Sequence, residues 1–360
     1  MDRNVATFDD DLAFMLRAEH VAIYEDGVVR ILDRRIYPIR VEYVTCHSPM
    51  EVRQALQAMV TQSAGPYTAC AMGMALAAHE ARNMDREQAL EHLERSGELM
   101  ATARPTTQVR MEQVVAGALK VARETEDFTD LDLILRDHAL RAMESRYASI
   151  ERVAEHLLPL LPDQGTVMTQ CFGETIIGMM GRLLRGSGKE VSFVCPETRP
   201  YLQGARFTAS VLKDMGYPVT VITDNMVAAY MEQRGVDLFT SAADSIAMDG
   251  GVINKVGTHQ IAILAKYFHI PYFVTGIPDL TTPRAAEVPI EQRNPEEAIS
   301  AHGIKHVLEG VEGWYPAFDH TPAHLVSGVV TDLGVFSPYD LEQYRSRKSE
   351  RGSDFYSFAV

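Results

Sequence analysis

Cysteine is scarce in this chain, with four in 360 residues, and tryptophan occurs once. Cys46, Cys70, Cys171 and Cys195 lie far apart without a CxxC pair, which excludes a zinc knuckle or a disulfide framework as the organising device. No apolar run reaches the roughly 18 residues of a membrane span. The opening "MDRNVATFDDDLAFML" is acidic where an export leader would be basic and then apolar, so a cytoplasmic protein with reduced thiols is expected. Positive charge is also short: 34 Lys and Arg against 49 Asp and Glu leave a net charge of −15. That balance argues against nucleic acid or an anionic membrane as partner. It still permits a phosphorylated small molecule, which a few local donors in a cleft can hold. The 12 histidines form no HxH or HExxH arrangement, so no metal is expected. Nucleotide loops are missing too. "TQCFGETIIGMMG" lacks GxGxxG, and "GRLLRGSGKE" has Leu183 at the first P-loop glycine and Glu190 in place of Ser or Thr. No cofactor is expected.

Apolar residues make up 46% of the chain, enough for packed cores, and the length exceeds what one compact core usually holds. The organisation changes near residue 160. Before it, a hairpin in "AIYEDGVVRILDRR" turns at Asp26 and Gly27, and the rest is mainly helical. "DLDLILRDHALRAMESRYASIERVAEHLLPLL" repeats apolar residues at three- and four-residue spacing and predicts a long helix that stops before Pro162. Beyond it, the short β-rich runs "TVMTQCF", "EVSFVCPE", "YPVTVITD", "VDLFTSAADSIA" and "IPYFVTGI" alternate with helical segments. That rhythm predicts an α/β fold with a buried parallel sheet, in which ligands sit at the carboxyl ends of the strands. The expected domains are 1–160 and 161–360.

The polar residues at those strand ends are Cys171, Glu197 with Arg199, Asp224 with Asn225, and Asp244. Asp224 is read equally well as a helix N-cap. Parallel-sheet geometry carries Cys171 and Asp244 to one rim, where a thiol and a carboxylate can act as an acid/base pair.

"PETRPYLQGARFTASVL", "VTVITDNMVAAYM", "AADSIAMDGGVINKVGTHQIAILAKYFHIPYFV" and "WYPAFDHTPAHLVSGVVTDLGVFSP" resemble the aldose-1-phosphate isomerases typified by methylthioribose-1-phosphate isomerase. These are related to ribose-1,5-bisphosphate isomerase and to the regulatory subunits of initiation factor 2B. "VVRILDRR", "VTCHSPMEVRQALQAMV", "MGMALAA" and "ARPTT" extend the resemblance over nearly the whole chain. It implies a mainly helical N-terminal domain, a Rossmann-like catalytic domain and a cytoplasmic homodimer acting in methionine salvage. It also implies conversion of an aldose 1-phosphate to the 1-phosphorylated ketose without a cofactor. The family's cysteine in "THC" falls here on Cys171 in "TQC", and its aspartate in "GAD" falls on Asp244 in "AAD". By the same carry-over Arg104 and Lys255 neutralise the phosphate, and Gln203 and Asn254 hold sugar hydroxyls. Asp244 is assigned to a hydroxyl or ring-oxygen proton and Cys171 to the carbon-bound proton, with the reverse division open. "GGVINK" is expected to make the turn that delivers Asn254 and Lys255, and Asp249 to be a turn residue. "TTPRAAEVPIEQRNPEEAIS" is expected to be a surface loop with a short helix.

Two strings depart from the family's pattern. Its "VVRGAPAIG" loop corresponds to "VTQSAGPYTAC", with Gln62 for the arginine and Ser63 for the glycine. Its "THCNAG" becomes "TQCFGE", bringing in Gln170, Phe172 and Glu174. An apolar Phe172 suits a methylthio or deoxy C5 better than a second phosphate. Three readings follow: an isomerase of 5-methylthioribose 1-phosphate or a similar 5-deoxypentose 1-phosphate, a ribose-1,5-bisphosphate isomerase, or a non-catalytic regulatory subunit.

Overall fold

The computed structural model describes residues 8–104, 107–301 and 303–351. The chain divides into two compact units at Ala148 and Ser149, inside the long helix that the apolar spacing predicts.

The first unit opens with helix α1 (Ala18–Val21) and an antiparallel sheet of β1 (Ala22–Glu25), β2 (Val28–Leu32) and β3 (Tyr43–Cys46). Asp26 at φ 47° and Gly27 at φ 80° make the β1–β2 turn, the left-handed pair that a two-residue hairpin needs. Helices α2 (Pro49–Gln57), α3 (Gly65–Glu80), α4 (Arg86–Ala101), α5 (Gln108–Glu124) and α6 (Leu131–Leu157) follow. Ser48 caps α2 by accepting from the Glu51 amide, while the Glu51 carboxylate accepts from the His47 amide one position before the cap. Helix α3 is buried on almost every face, with Cys70, Met72, Met74 and Leu76 fully enclosed, which makes it the centre of this core.

The second unit alternates strands and helices as the sequence pattern predicts: β4 (Gln164–Met168), α7 (Glu174–Leu184), β5 (Glu190–Pro196), α8 (Ala209–Asp214), β6 (Val219–Ile222), α9 (Val227–Arg234) and β7 (Leu238–Ala242). Then come β8 (Ser245–Ile246), β9 (Val252–Lys255), α10 (Thr258–Tyr267), β10 (Tyr272–Thr275), α11 (Glu296–Ile299), β11 (Ser300–Ala301) and β12 (Ile304–Lys305). The described part ends with β13 (Phe318–Thr321), β14 (Gly328–Thr331), β15 (Gly334–Phe336) and α12 (Glu342–Arg351).

Seven strands form one sheet in the order β15-β14-β10-β7-β4-β5-β6, parallel except at β15. From β4 the chain moves outward through β5 and β6, then returns to place β7 on the other side of β4. The order therefore reverses between β4 and β7, and the crevice beyond their carboxyl ends is where such sheets bind ligands. The fully buried Met168, Val194, Phe239, Val274 and Val329 fill the sheet's core positions.

One expectation is overturned here. "VINK" is no turn: β9 is a fully buried strand, sandwiched antiparallel between β8 and β13 in a separate small sheet. Its apolar Val252 and Ile253 gave it strand character that the flanking glycines and polar residues obscured.

Candidate active site

The reversal point carries the two residues that the strand ends singled out. Cys171 lies three positions beyond β4, and Asp244 two beyond β7, on neighbouring strands that pair Met168 with Phe239. Cys171 is half-buried and holds a left-handed backbone, φ 59°. Two threonines hold that conformation: the Cys171 amide donates to the Thr198 hydroxyl at 3.2 Å, and the Thr208 hydroxyl donates to the Cys171 carbonyl. Burial pushes the Cys171 thiol up to about 11, with the Lys255 and Arg293 charges pulling down and the Asp244 charge pushing up. Asp244 itself is exposed, and its amide donates to the Ile253 carbonyl at 3.0 Å, tying it to β9.

Asn254 and Lys255, at 5% and 4% exposure, end β9. The Asn254 amide donates to the Thr258 hydroxyl at 3.1 Å, and that hydroxyl donates to the Lys255 carbonyl at 2.7 Å, so the strand end and the first turn of α10 are one unit. Asp319, paired with Asn254 across β13, accepts from the Gly257 and His259 amides at 2.7 and 3.2 Å and caps α10 from another strand. Burial raises its carboxyl to about 6 in spite of those donors. Lys255 has its ammonium 4.8 Å from the Phe318 ring centre and 5.9 Å from that of Tyr315. Burial lowers its pKa; the Cys171 charge opposes this, Arg293 reinforces it, and the Asp244 and Glu291 charges oppose it.

The loop after β5 forms another wall. Asp224 accepts from the amides of Thr198 and Arg199 at 2.8 and 2.7 Å, so it anchors this loop; no side-chain cap bond marks the turn that it begins, and the N-cap alternative is set aside. Gly204 is obligatory for packing, since a Cβ there would stand 1.9 Å from the Pro196 carbonyl oxygen. Next to it Gln203, at 6% exposure, has its Oε1 buried with no hydrogen-bond partner among the described residues; the Ser245 hydroxyl beside Asp244 is in the same state. Orphaned buried polar atoms are rare, and these two are available to a polyhydroxylated ligand. Arg199 donates to the carbonyls of Pro200, Glu297 and Ser300, and Tyr201 donates to the Glu297 carboxylate at 3.1 Å.

Gln170 bridges the Val256 carbonyl and the Thr198 hydroxyl, a structural use of the residue that replaces the family's histidine. Phe172 packs with Phe207, their ring centres 5.3 Å apart. Asp249 accepts from the Gly251 amide at 3.0 Å, as a turn residue should.

Arg104 belongs to the first unit, in the connection before α5, where its carbonyl accepts from the Thr107 amide; Pro105 and Thr106 of the same string lie outside the described residues. The altered loop lies in that unit as well. Ser63 keeps a left-handed φ of 57° where the family has glycine, and the fully buried Arg34 donates to the Gln62 carbonyl at 2.8 Å.

The sequence reading missed Arg293, Tyr315 and Phe318. Residues 281–300 do contain the short helix α11, but Ala285 and most of Arg293 are buried, so this stretch is not simply a surface loop. Arg293 was hidden by its acidic neighbours in "EQRNPEE". The arginine next to an apolar "VPI" run, and the aromatics in "WYPAFD", were the available signals. Among the described residues no group of three His, Cys, Asp or Glu side chains is arranged to hold a metal ion.

Residues 62–338 match the initiation factor 2 subunit family. The chain belongs to that family. Among its members, the methylthioribose-1-phosphate isomerase of Pelotomaculum thermopropionicum is 34% identical over 331 residues, covering 88% of this chain and 90% of its own. That of Chloroflexus aurantiacus is 33% identical over 348 residues, covering 91% and 98%. Of solved structures, 5-methylthioribose 1-phosphate isomerase from Pyrococcus horikoshii OT3 aligns with a TM-score of 0.81 at 26% identity, over 91% of this chain and 96% of that one. Translation initiation factor eIF-2B subunit delta from A. fulgidus aligns at 0.79 with 30% identity, over 89% and 96%. The family's α/β fold is thus the fold observed, and no described helix is long and apolar enough to cross a membrane.

Proposed function

We propose that this protein is an aldose–ketose isomerase that converts 5-methylthioribose 1-phosphate to 5-methylthioribulose 1-phosphate, with Cys171 and Asp244 as the acid/base pair. The carrying observation is their position just beyond the carboxyl ends of β4 and β7 at the strand-order reversal, with the charge of the buried Lys255 acting on Cys171. A thiol held near 11 is protonated at neutral pH, so it favours the reverse of the division first assigned: Cys171 starts as the acid and Asp244 as the base. Cys171 protonates the ring oxygen as the C1–O bond breaks, and Asp244 takes the C2 proton to leave a phosphoenol. The 2-hydroxyl then returns a proton to the thiolate while Asp244 delivers its proton to C1, which completes the ketose and restores both groups. Lys255 neutralises the phosphate, and Gln203 and Asn254 hold hydroxyls.

The test is to incubate the purified chain with 5-methylthioribose 1-phosphate, 5-deoxyribose 1-phosphate and ribose 1,5-bisphosphate and to follow ketose formation. Conversion of the first, lost in Cys171→Ser and Asp244→Asn, is expected. Conversion of the bisphosphate alone supports the second sugar reading, and conversion of none refutes the isomerase. A non-catalytic regulatory role is favoured by the likeness to the A. fulgidus initiation-factor subunit and by Gln62 and Ser63; the presence of Cys171, Asp244 and Lys255 opposes it. The protein is taken to work as a cytoplasmic homodimer, and light scattering that gives one chain's mass of 40.0 kDa would overturn the dimer.

A further inference from the structure

Arg293 stands on the segment before α11, and nothing in the proposed chemistry uses it. Its side chain is 14% exposed and forms an ion pair with Glu291 at 3.2 Å. Its guanidinium lies 5.6 Å from the Tyr201 ring centre and 5.7 Å from that of Phe318, the ring whose centre is 4.8 Å from the Lys255 ammonium. Tyr201 in turn meets Tyr315 edge to face at 6.2 Å, and Tyr315 lies beside the same ammonium. Two cations therefore share one aromatic wall. The lysine can lose its proton, whereas the guanidinium carries its charge at every working pH.

We propose that Arg293 is a positioning residue, which braces the Phe318 ring directly, and the Tyr315 ring through Tyr201, around Lys255 and supplies a permanent positive charge beside that lysine. The inference rests on reading Cys171 and Lys255 as parts of one isomerase site. Among the described residues, the charges that act on Cys171 include Lys255, Asp244 and Arg293, and those that act on Lys255 include Cys171, Arg293, Asp244 and Glu291. Removing Arg293 makes the Cys171 thiolate harder to form. Lys255, relieved of a like charge, then gains protons and returns part of that loss.

The experiment compares the full-length wild type with Arg293→Gln, Arg293→Lys and Glu291→Gln, all checked by thermal melting. Alkylation of Cys171 by iodoacetamide is measured across pH by mass spectrometry, and isomerase kinetics are measured in parallel. Arg293→Gln is expected to slow alkylation about threefold at pH 9, equivalent to half a pKa step, and Arg293→Lys to restore it. Turnover should fall about tenfold or more in Arg293→Gln with KM within about twofold, because a charge that acts on the proton-transferring thiol is felt in the transition state and its loss lowers kcat and kcat/KM together. A folded Arg293→Gln with an unchanged alkylation profile overturns the proposal. So does a raised KM at unchanged kcat, which would make Arg293 a substrate contact. If Arg293→Gln fails to fold, the lysine variant and Glu291→Gln decide: both charge-keeping variants should lie near the wild-type alkylation profile with reduced kcat, and wild-type kcat in both overturns the bracing role. A shifted alkylation profile in a protein that isomerises no sugar would refute the isomerase and leave the positioning of Cys171 standing.

Discussion

Lys255 and Phe318 are register partners across β9 and β13, and the lysine ammonium sits 4.8 Å from the centre of the phenylalanine ring. A buried ammonium is costly unless something offsets its lost hydration, and the negative face of an aromatic ring is one such offset. The arrangement keeps a cation inside the site on an aromatic face, where its hydrogen-bond donors can meet a phosphate.

Replacing Phe318 by leucine keeps an apolar side chain and removes the ring. With a desolvated cation–π contact worth about 1–2 kcal/mol, KM for the sugar phosphate should rise roughly five- to thirtyfold, with little change in melting temperature. Steady-state kinetics on the purified variant measure this, and an unchanged KM would detach the ring from substrate binding.

Asp319 provides a pH signature. Its folded value near 6 lies above the ordinary aspartate value, so its favourable contribution is complete below about pH 4 and is lost as pH rises through 6. Denaturant unfolding should therefore show wild-type stability declining between pH 4 and 7 relative to Asp319→Asn, by an amount on the order of 2 kcal/mol. Parallel curves for the two proteins would contradict this.

Cys171 should be slow to alkylate at neutral pH. With the thiol near 11, the thiolate fraction at pH 7 is about a hundredfold or more below that of an unperturbed cysteine, and the rate should climb until about pH 11. Rapid modification at pH 7 would show that the thiol is not desolvated. Lys255→Met should slow the reaction further, because it removes the stronger of the Lys255 and Arg293 charges that favour the thiolate.

Gly204→Ala puts a methyl group 1.9 Å from the Pro196 carbonyl oxygen, and backbone cannot yield cheaply. A loss of about 2–4 kcal/mol in chemical denaturation is expected, together with loss of activity, since Gln203 moves with the loop. Wild-type stability in this variant would mean that the loop has another accessible position.

Much of this was legible in the residues. The alternation of β-rich and helical runs after residue 160 appears as the parallel sheet, because continuous apolar strands have few other homes, and Cys171 and Asp244 were visible as the polar residues ending two of them. Asn254 and Lys255 came from the family resemblance and were expected on a turn, whereas the structure puts them at the end of a buried strand. Local sequence around Gly250 and Gly251 says turn, whereas the strand is made by pairing with residues 318–321, more than sixty positions away. The cap reading of Asp224 failed similarly: a carboxylate at the start of a helical turn looks like a cap, and only the folded loop shows that it holds Thr198 and Arg199. Arg293 was invisible because its partners, Tyr201 and Phe318, lie on either side of it in the chain and beyond local range, and no local pattern records such a meeting.

The strand order also divides the chemistry between two contiguous pieces of chain. Cys171, Thr198 and Gln203 precede α9, while Asp244, Asn254, Lys255, Arg293 and Phe318 follow it, with the exposed Gly235 at the join. Cutting the chain there would yield two fragments, each holding one member of the proposed proton-transfer pair, and neither is expected to turn over alone. Coexpressed, they would form a split enzyme whose recovered activity reports that the two halves have found each other.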